Sequence, residues 1–170
     1  LRIEPYSEGL RDRIWWGAGS RATAEWTAEK GMNLMSSTLL TEDTGIPFHK
    51  LQAEQIERFR DAWEKAGHPR EPRVSVSRSI FPLTTDMDRA YFGRDRNDQD
   101  QVGHLEGGLA RFGRSYAAEP DKLIEELRED EAIAAADTLL LTIPNQLGVE
   151  YNAHVMESIL NDVAPALGWR

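Results

Sequence analysis

Cysteine is absent from this 170-residue chain, which excludes disulfides, thiolate nucleophiles and cysteine-ligated metals. Basic residues are fewer than acidic ones, 20 against 29, and the net charge of −9 with no basic patch disfavours non-specific nucleic-acid binding. No apolar run approaches the roughly 20 residues that span a bilayer, and no signal-peptide pattern is visible. We therefore expect a cytoplasmic protein without membrane or nucleic-acid partners.

The remaining composition is that of a globular protein, with 40% apolar and 29% charged residues. This length is enough for one domain with a hydrophobic core. We predict a single domain over residues 1–170, with an irregular lead-in at 1–12. Residues 94–111 are polar and glycine-rich, which predicts a flexible loop of the length that is usually functional or mobile.

The stretch from Arg13 to Gly31 is the most informative part of the chain. The apolar run 14–16 predicts a buried strand, Gly17-Ala18-Gly19 predicts a turn, and Ser20 is expected to begin a helix that ends at Gly31. The free N–H groups of a first helical turn and the helix dipole both favour an anion. The sequence therefore predicts a place for a phosphate.

Three interpretations of this turn stay open at the level of the residues. In the first, Ser20 and Thr23 add hydroxyl donors to a mononucleotide phosphate site. In the second, Gly17-x-Gly19-x-x-Ala22 is a dinucleotide fingerprint, although the next strand ends in Ser36-Ser37 where an acidic residue is expected. In the third, the glycines only shape the turn and Ser20 caps the helix.

The rest of the chain alternates strands with helices, which predicts parallel pairing and an α/β fold. Right-handed crossovers leave an open doubly wound sheet or part of a (β/α)₈ barrel. Further strands are predicted at 32–35, 74–81 and 138–143, the last covered on both faces, and helices at 47–66, 86–93, 120–136 and 148–167. The expected buried faces are Leu51, Ile56, Phe59 and Trp63 on the first long helix, and Val149, Val155, Met156, Ile159, Leu160, Val163 and Leu167 on the last.

Residues that could carry chemistry are few. The histidines, at 49, 68, 104 and 154, lack metal-ligand spacing, so no metal site is predicted. The catalytic residue is unknown; His49 and His104 are candidates because both are expected in loops after strands. Arg78 would either meet an anion or form a buried ion pair. Met35 is expected to pack in the core, and the acidic run 125–131 to be a solvated helix face.

Several motifs together resemble the luciferase-like, flavin-dependent monooxygenase family. They are Ile-Trp-Trp-Gly-Ala-Gly-Ser-x-x-Thr-Ala from residue 14, Gly-Met-Asn-Leu-Met from 31, Gly-Arg-Ser-Tyr from 113, and Asp-Thr-Leu-Leu-Leu-Thr-Ile-Pro from 137. The resemblance implies a TIM barrel that binds FMN, or a deazaflavin relative, at the carboxyl ends of its strands. It places the flavin phosphate on Gly17, Ala18, Gly19, Ser20 and Thr23.

The resemblance implies an oxidoreductase that uses reduced FMN and dioxygen to oxygenate a small organic substrate. Only four strand–helix units are present, whereas a TIM barrel needs about 250 residues, so we expect the C-terminal half of the barrel, inactive alone. The start at Leu1 fits this expectation. A second copy or the missing N-terminal half would cover the open strand edges and inner face. The alternatives are a non-catalytic α/β binding or assembly module and an NAD(P)-binding domain.

Overall fold

A computed structural model of the chain describes residues 4–41, 44–93, 99–105 and 108–169. The strands are β1 Trp15–Ala18, β2 Asn33–Ser36, β3 Leu39–Leu40, β4 Val74–Arg78, β5 Ile80–Pro82, β6 Gln101–Leu105, β7 Gly108–Phe112, β8 Tyr116–Ala118 and β9 Thr138–Leu141. The helices are α1 Arg21–Glu29, α2 Phe48–Ala66, α3 Asp86–Phe92, α4 Pro120–Arg128, α5 Glu131–Ala135, α6 Gly148–Ser158 and α7 Ala164–Leu167. A π-helical turn, Ile159–Val163, joins α6 to α7.

The central sheet has four parallel strands in the order β1-β2-β4-β9. Each new strand joins the same growing side, so right-handed crossovers place the connecting helices on one face. Leu34 and Val76 on that face pack against Ile56 and Phe59 of α2 and Ala24 of α1. The fold is therefore mixed α/β with a parallel sheet. The strands lie in the sheet in the same order as in the chain, without the reversal of order that defines the doubly wound alternative.

The opposite face of the sheet, which we call the open face, carries the alternate residues of the same strands. Strand register places Gly17 beside Met35, Met35 beside Ser75, and Ser77 beside Leu140. Met35 is 38% exposed and Leu140 is 41% exposed. Core packing was thus the wrong expectation for Met35, because the helices cover the other face.

The last strand and the last helix expose apolar residues that were expected to be buried. β9 is an edge strand, so Leu140 and Leu141 remain exposed instead of being covered on both faces. In the last helix Val155, Ile159 and Val163 are buried as predicted. Three other residues of this helix were also expected to be buried, and that expectation was wrong. Val149 is 85% exposed, Leu160 64% and Met156 42%, and none of the three belongs to the core that Val155, Ile159 and Val163 join.

Two predicted elements are each divided in the structure. The strand 74–81 breaks at Ser79 because β5 leaves the central sheet to pair with β8. The helix from Pro120 breaks before Asp130, which caps α5 by accepting hydrogen bonds from the backbone of Ala132 and Ile133. A second core forms around these elements, from Ile80, Phe81, Tyr116, Ala118, Leu123, Ile124, Leu127, Val155, Ile159 and Val163.

The segment predicted as a loop at 94–111 contains two antiparallel strands instead. β6 pairs with β7, and β7 also pairs with β3 through Leu39 and Phe112. Glycines within these strands hide the alternation that would have predicted them; residues 94–98 and 106–107 lie outside the described part. The helices of that part are too short or too polar to cross a membrane.

Candidate functional site

The glycine turn lies where β1 leads into α1. Gly17 and Ala18 end the strand, and Gly19 and Ser20 connect it to the helix. The Ser20 backbone is extended, and its Oγ accepts a hydrogen bond from the Thr23 backbone N–H at 3.2 Å, which confirms the predicted helix cap. The Ser20 and Thr23 hydroxyl oxygens are 3.0 Å apart. The structure therefore brings two hydroxyls together at a helix N-terminus.

A buried amide network holds this turn in place. The Gln55 side-chain amide donates to the carbonyls of Ala18 at 3.1 Å and Ser20 at 3.0 Å. Ser36 Oγ, at the end of β2, donates to Gln55 Oε1 at 2.6 Å. Thr41 N donates to Gly19 O at 2.9 Å. Because Ser36 is committed to Gln55 where a dinucleotide site needs a carboxylate, the structure lacks that feature of the fingerprint.

The charges beside the turn are compensated. Arg21, the first residue of α1, donates to Glu54 through Nε at 2.9 Å and Nη2 at 2.6 Å. This hydrogen bonding from Arg21 lowers the pKa of Glu54. An anion at the turn would therefore be held mainly by hydroxyls, backbone N–H groups and the helix dipole.

The space around the turn limits where a phosphate could lie. The gap between Ser20 and the side chains of Leu40 and Leu51 is only about 10 Å³, room for one water at most. A phosphate would have to sit on the solvent side of Ser20 and Thr23, which are both half-buried. Two adjacent hydroxyls at a helix N-terminus suit a phosphate, so the donor chemistry fits.

The open face of the sheet beside the turn has room for the rest of a ligand. A Cβ added to Gly17 would approach Met35 Cε at 3.7 Å and leave the remaining space open. Ser77 lies two strands away, with its hydroxyl 2.9 Å from that of Thr142. Neither Gly17 nor Gly19 has a positive φ. Glycine at these positions therefore supplies room above the sheet rather than an unusual backbone.

A separate cavity of about 330 Å³ lies between the start of α2, the β6–β7 hairpin and the α4–α5 junction. At its floor Arg78 Nε donates to Asp130 Oδ2 at 2.7 Å, and Tyr116 OH donates to the same oxygen at 2.6 Å. Burial works to raise the pKa of Asp130, but the Arg78 hydrogen bonds lower it overall. Of the two interpretations of Arg78, the buried ion pair is confirmed.

The rim of this cavity is occupied by structural contacts. Asp100, which the sequence analysis did not single out, accepts from Phe48 N at 2.6 Å and from Arg114 N at 3.3 Å. His49 accepts from the backbone N–H of Glu131 at 3.3 Å. His104 lies on β6 and is exposed. The two candidate histidines thus occupy different places, and no catalytic pair forms from them.

A third polar cluster joins α3 to α6 around buried Asp88. Its carboxylate accepts from Thr85 Oγ1 at 2.8 Å, Tyr151 OH at 2.5 Å and His154 Nε2 at 3.0 Å. Burial opposes ionisation, but these hydrogen bonds lower the pKa of Asp88 overall. The sequence signal was Thr85-x-x-Asp88, the capping box that begins α3. Across the described ranges, histidine and acidic side chains form no group of three that could hold a metal ion.

Comparison with known proteins gives a fold relationship. The chain matches no protein-family model and no curated protein sequence. Its structure is similar to the crystal structure of monooxygenase RslO1 from Streptomyces bottropensis, with a TM-score of 0.55 and 16% sequence identity. The similarity covers 91% of this chain and 48% of that protein, so the chain spans about half its length. At this identity the similarity describes the fold alone.

Proposed function

We propose that this chain is the phosphate-binding part of a flavin-dependent oxidoreductase of the luciferase-like monooxygenase type. The observation that carries the proposal is the pair of hydroxyls, Ser20 and Thr23, at the helix N-terminus that follows a parallel strand. The fold similarity to a monooxygenase supports it. We further infer that the four strands, in chain order with helices on one face, are the C-terminal half of a TIM barrel.

In this proposal the chain binds and orients the flavin. Ser20, Thr23 and the first N–H groups of α1 hold the phosphate of FMN or of a deazaflavin, and Gly17 leaves room for the molecule to extend over Met35. When bound, the reduced flavin supplies the electrons that activate dioxygen toward a small organic substrate. The described residues give no assignment of a catalytic acid or base.

Titration of FMN with two variants that are matched in size and differ in charge tests the phosphate site. Asparagine and aspartate both cap helices well, so Ser20→Asn and Ser20→Asp should fold alike. The aspartate places a negative charge against the phosphate. We expect the fluorescence of FMN to report somewhat weaker binding by Ser20→Asn than by the original chain, because one hydroxyl donor is lost. Binding by Ser20→Asp should be at least about tenfold weaker again, because of the added charge.

Riboflavin, which lacks the phosphate, is the matched ligand control. It should bind the two variants equally, and more weakly than FMN binds the original chain. Equal FMN affinities for Ser20→Asn and Ser20→Asp would refute the phosphate site. The absence of FMN binding by the original chain would refute the proposal that this chain by itself holds the phosphate of FMN.

A non-catalytic assembly module remains the second candidate. One observation favours it: apolar side chains remain exposed at both edges of the central sheet, among them Trp16 at 43% and Leu140. Such residues usually mark a surface that another protein covers. Flavin binding together with such a surface would fit the first candidate, and the surface without flavin binding would fit the second.

A further inference from the structure

Two glutamines of α2, Gln52 and Gln55, lie on the buried face of that helix, and both are 0% exposed. Their neighbours on this face are the apolar residues Leu51, Ile56 and Phe59. Glutamine is mostly an exposed residue, and burial of its amide costs free energy unless the donors and the acceptor find partners. Two buried amides among apolar side chains therefore call for an explanation in the groups that they bind.

The direction of the hydrogen bonds around Gln55 follows from the chemistry of its partners. The carbonyl oxygens of Ala18 and Ser20 can only accept, so the Gln55 amide nitrogen donates to both, at 3.1 and 3.0 Å. Its Oε1 then faces Ser36 and accepts the hydroxyl proton at 2.6 Å. The Ser36 oxygen in turn accepts from Gln52 Nε2 at 3.0 Å. Both donors of Gln55 are thus used on the glycine turn, while Ser36 fixes the orientation of the amide.

These contacts decide which way the peptide groups of the turn point. Because Gln55 is buried, the carbonyls of Ala18 and Ser20 that it binds are directed into the protein. The carbonyl of Gly19, between them, accepts from the Thr41 backbone N–H at 2.9 Å. A carbonyl oxygen carries partial negative charge and repels an anion, whereas the N–H groups of a first helical turn attract one. Binding these oxygens from within the protein leaves the donors of the turn to face a ligand.

We propose that Gln55 is a positioning residue for phosphate recognition and makes this turn prefer flavins that carry a phosphate over those that lack one. The inference rests on the proposed function, because it concerns the same turn. Gln55 makes no contact with the ligand in this role. It acts through Ala18 and Ser20, whose carbonyls it holds away from the anion, so that the hydroxyls of Ser20 and Thr23 converge on the phosphate.

Methionine substitutions at the two glutamines separate positioning from packing. Methionine has a similar length and forms helices about as well as glutamine, and it removes the amide. Gln52 is the matched control, because it is equally buried but donates to Ser36 Oγ and to Ser37 O at 2.9 Å rather than to the turn. In urea denaturation both Gln52→Met and Gln55→Met should be less stable than the original chain, since each loses buried hydrogen bonds.

Flavin fluorescence then gives the dissociation constants of FMN and riboflavin for each chain. Gln55→Met should bind FMN about tenfold more weakly than the original chain, because a hydrogen bond to a charged group is lost when the donors of the turn are no longer aligned. Its affinity for riboflavin should stay within about twofold. Gln52→Met should keep the ratio of the two dissociation constants within about twofold of the original ratio. A change in packing alone would weaken both flavins alike.

Ser36→Ala provides a milder variant in case Gln55→Met does not fold by circular dichroism. It removes the hydroxyl that orients Gln55 and should reduce the preference for FMN over riboflavin in the same direction. An unchanged preference in folded Gln55→Met, or in Ser36→Ala where Gln55→Met is unfolded, would overturn the inference and leave the proposed function standing. An equal loss of preference in Gln52→Met would overturn it as well. An original chain that binds no FMN would overturn the proposed phosphate site and this inference together.

Discussion

Asp130 shows how one residue departs from the pattern around it. The acidic run 125–131 predicts a solvated helix face, yet Asp130 is buried where α4 ends and α5 begins. Its carboxylate pairs with Arg78 and also caps α5. The sequence predicted that Arg78 could form a buried ion pair but did not identify Asp130 as the partner. The reason is that no glycine or proline marks the break between the two helices.

Removing the charge of Asp130 should therefore destabilise the fold strongly. Asp130→Asn leaves the buried guanidinium of Arg78 without its counter-charge, and we expect a loss of about 3 kcal/mol in the free energy of unfolding. Urea denaturation followed by circular dichroism measures it. Glu125→Gln, an exposed residue of the same acidic run, should change this free energy by less than about 0.5 kcal/mol. A similar small loss for Asp130→Asn would contradict the role assigned to the ion pair.

Ser20 combines a structural role with the proposed binding role, and substitutions separate the two. Ser20→Ala removes the oxygen that accepts from Thr23 N, so we expect it to lower the free energy of unfolding by about 1 kcal/mol. Ser20→Asn keeps a capping oxygen and should remain within a few tenths of a kcal/mol of the original chain. Urea denaturation at neutral pH would contradict the cap if the alanine and asparagine variants proved equally stable.

At the scale of the element, the Asp88 carboxylate of α3 links α3 to α6 through hydrogen bonds with Tyr151 and His154. Hydrogen bonds to its carboxylate lower the pKa of Asp88, and Arg78 does the same for Asp130. A carboxylate with a lowered pKa in the folded chain stabilises the fold fully above the unfolded value of about 3.9. That contribution is lost as the pH falls through the unfolded value toward the folded one.

We therefore expect stability to decrease on acidification. The free energy of unfolding from urea titrations should fall steadily from about pH 5 to about pH 3. Asp88→Asn should lower stability at neutral pH and flatten this pH dependence, since it removes one of the three lowered carboxyl pKa values, those of Glu54, Asp88 and Asp130. Glu125→Gln serves as the control and should keep the slope of the original chain. An unchanged slope in Asp88→Asn would contradict the assignment.

Elements were predictable from the sequence where one local pattern dominates. The buried face of α2, which includes Ile56 and Phe59, follows from helical spacing and is observed. The Ser20 cap and the Thr85 capping box are equally local signals. β9 was misread because its apolar run is typical of a central strand, and whether a strand lies at an edge depends on the order of the whole sheet. The β6–β7 hairpin was missed because its glycines weaken the alternation.

For the candidate site, the sequence predicted the turn but not the distant residues that hold it in place. Ser20 and Thr23 were expected beside each other and are. The amide of Gln55 that fixes the turn comes from α2, 35 residues away along the chain from Ser20. The Asp88 cluster likewise depends on Tyr151 and His154, which only the tertiary fold brings close. Long-range polar partners of this kind leave no local pattern.

At the scale of the whole molecule, Ile133 and Leu139 pack against both hydrophobic cores, the one beside the central sheet and the one around β5 and β8. Because the two cores share these side chains, we expect them to unfold together in one two-state transition. Tryptophan fluorescence, to which Trp63 of the first core contributes, and far-UV circular dichroism should therefore give the same urea midpoint. Two separate midpoints would mean that each core unfolds as its own unit.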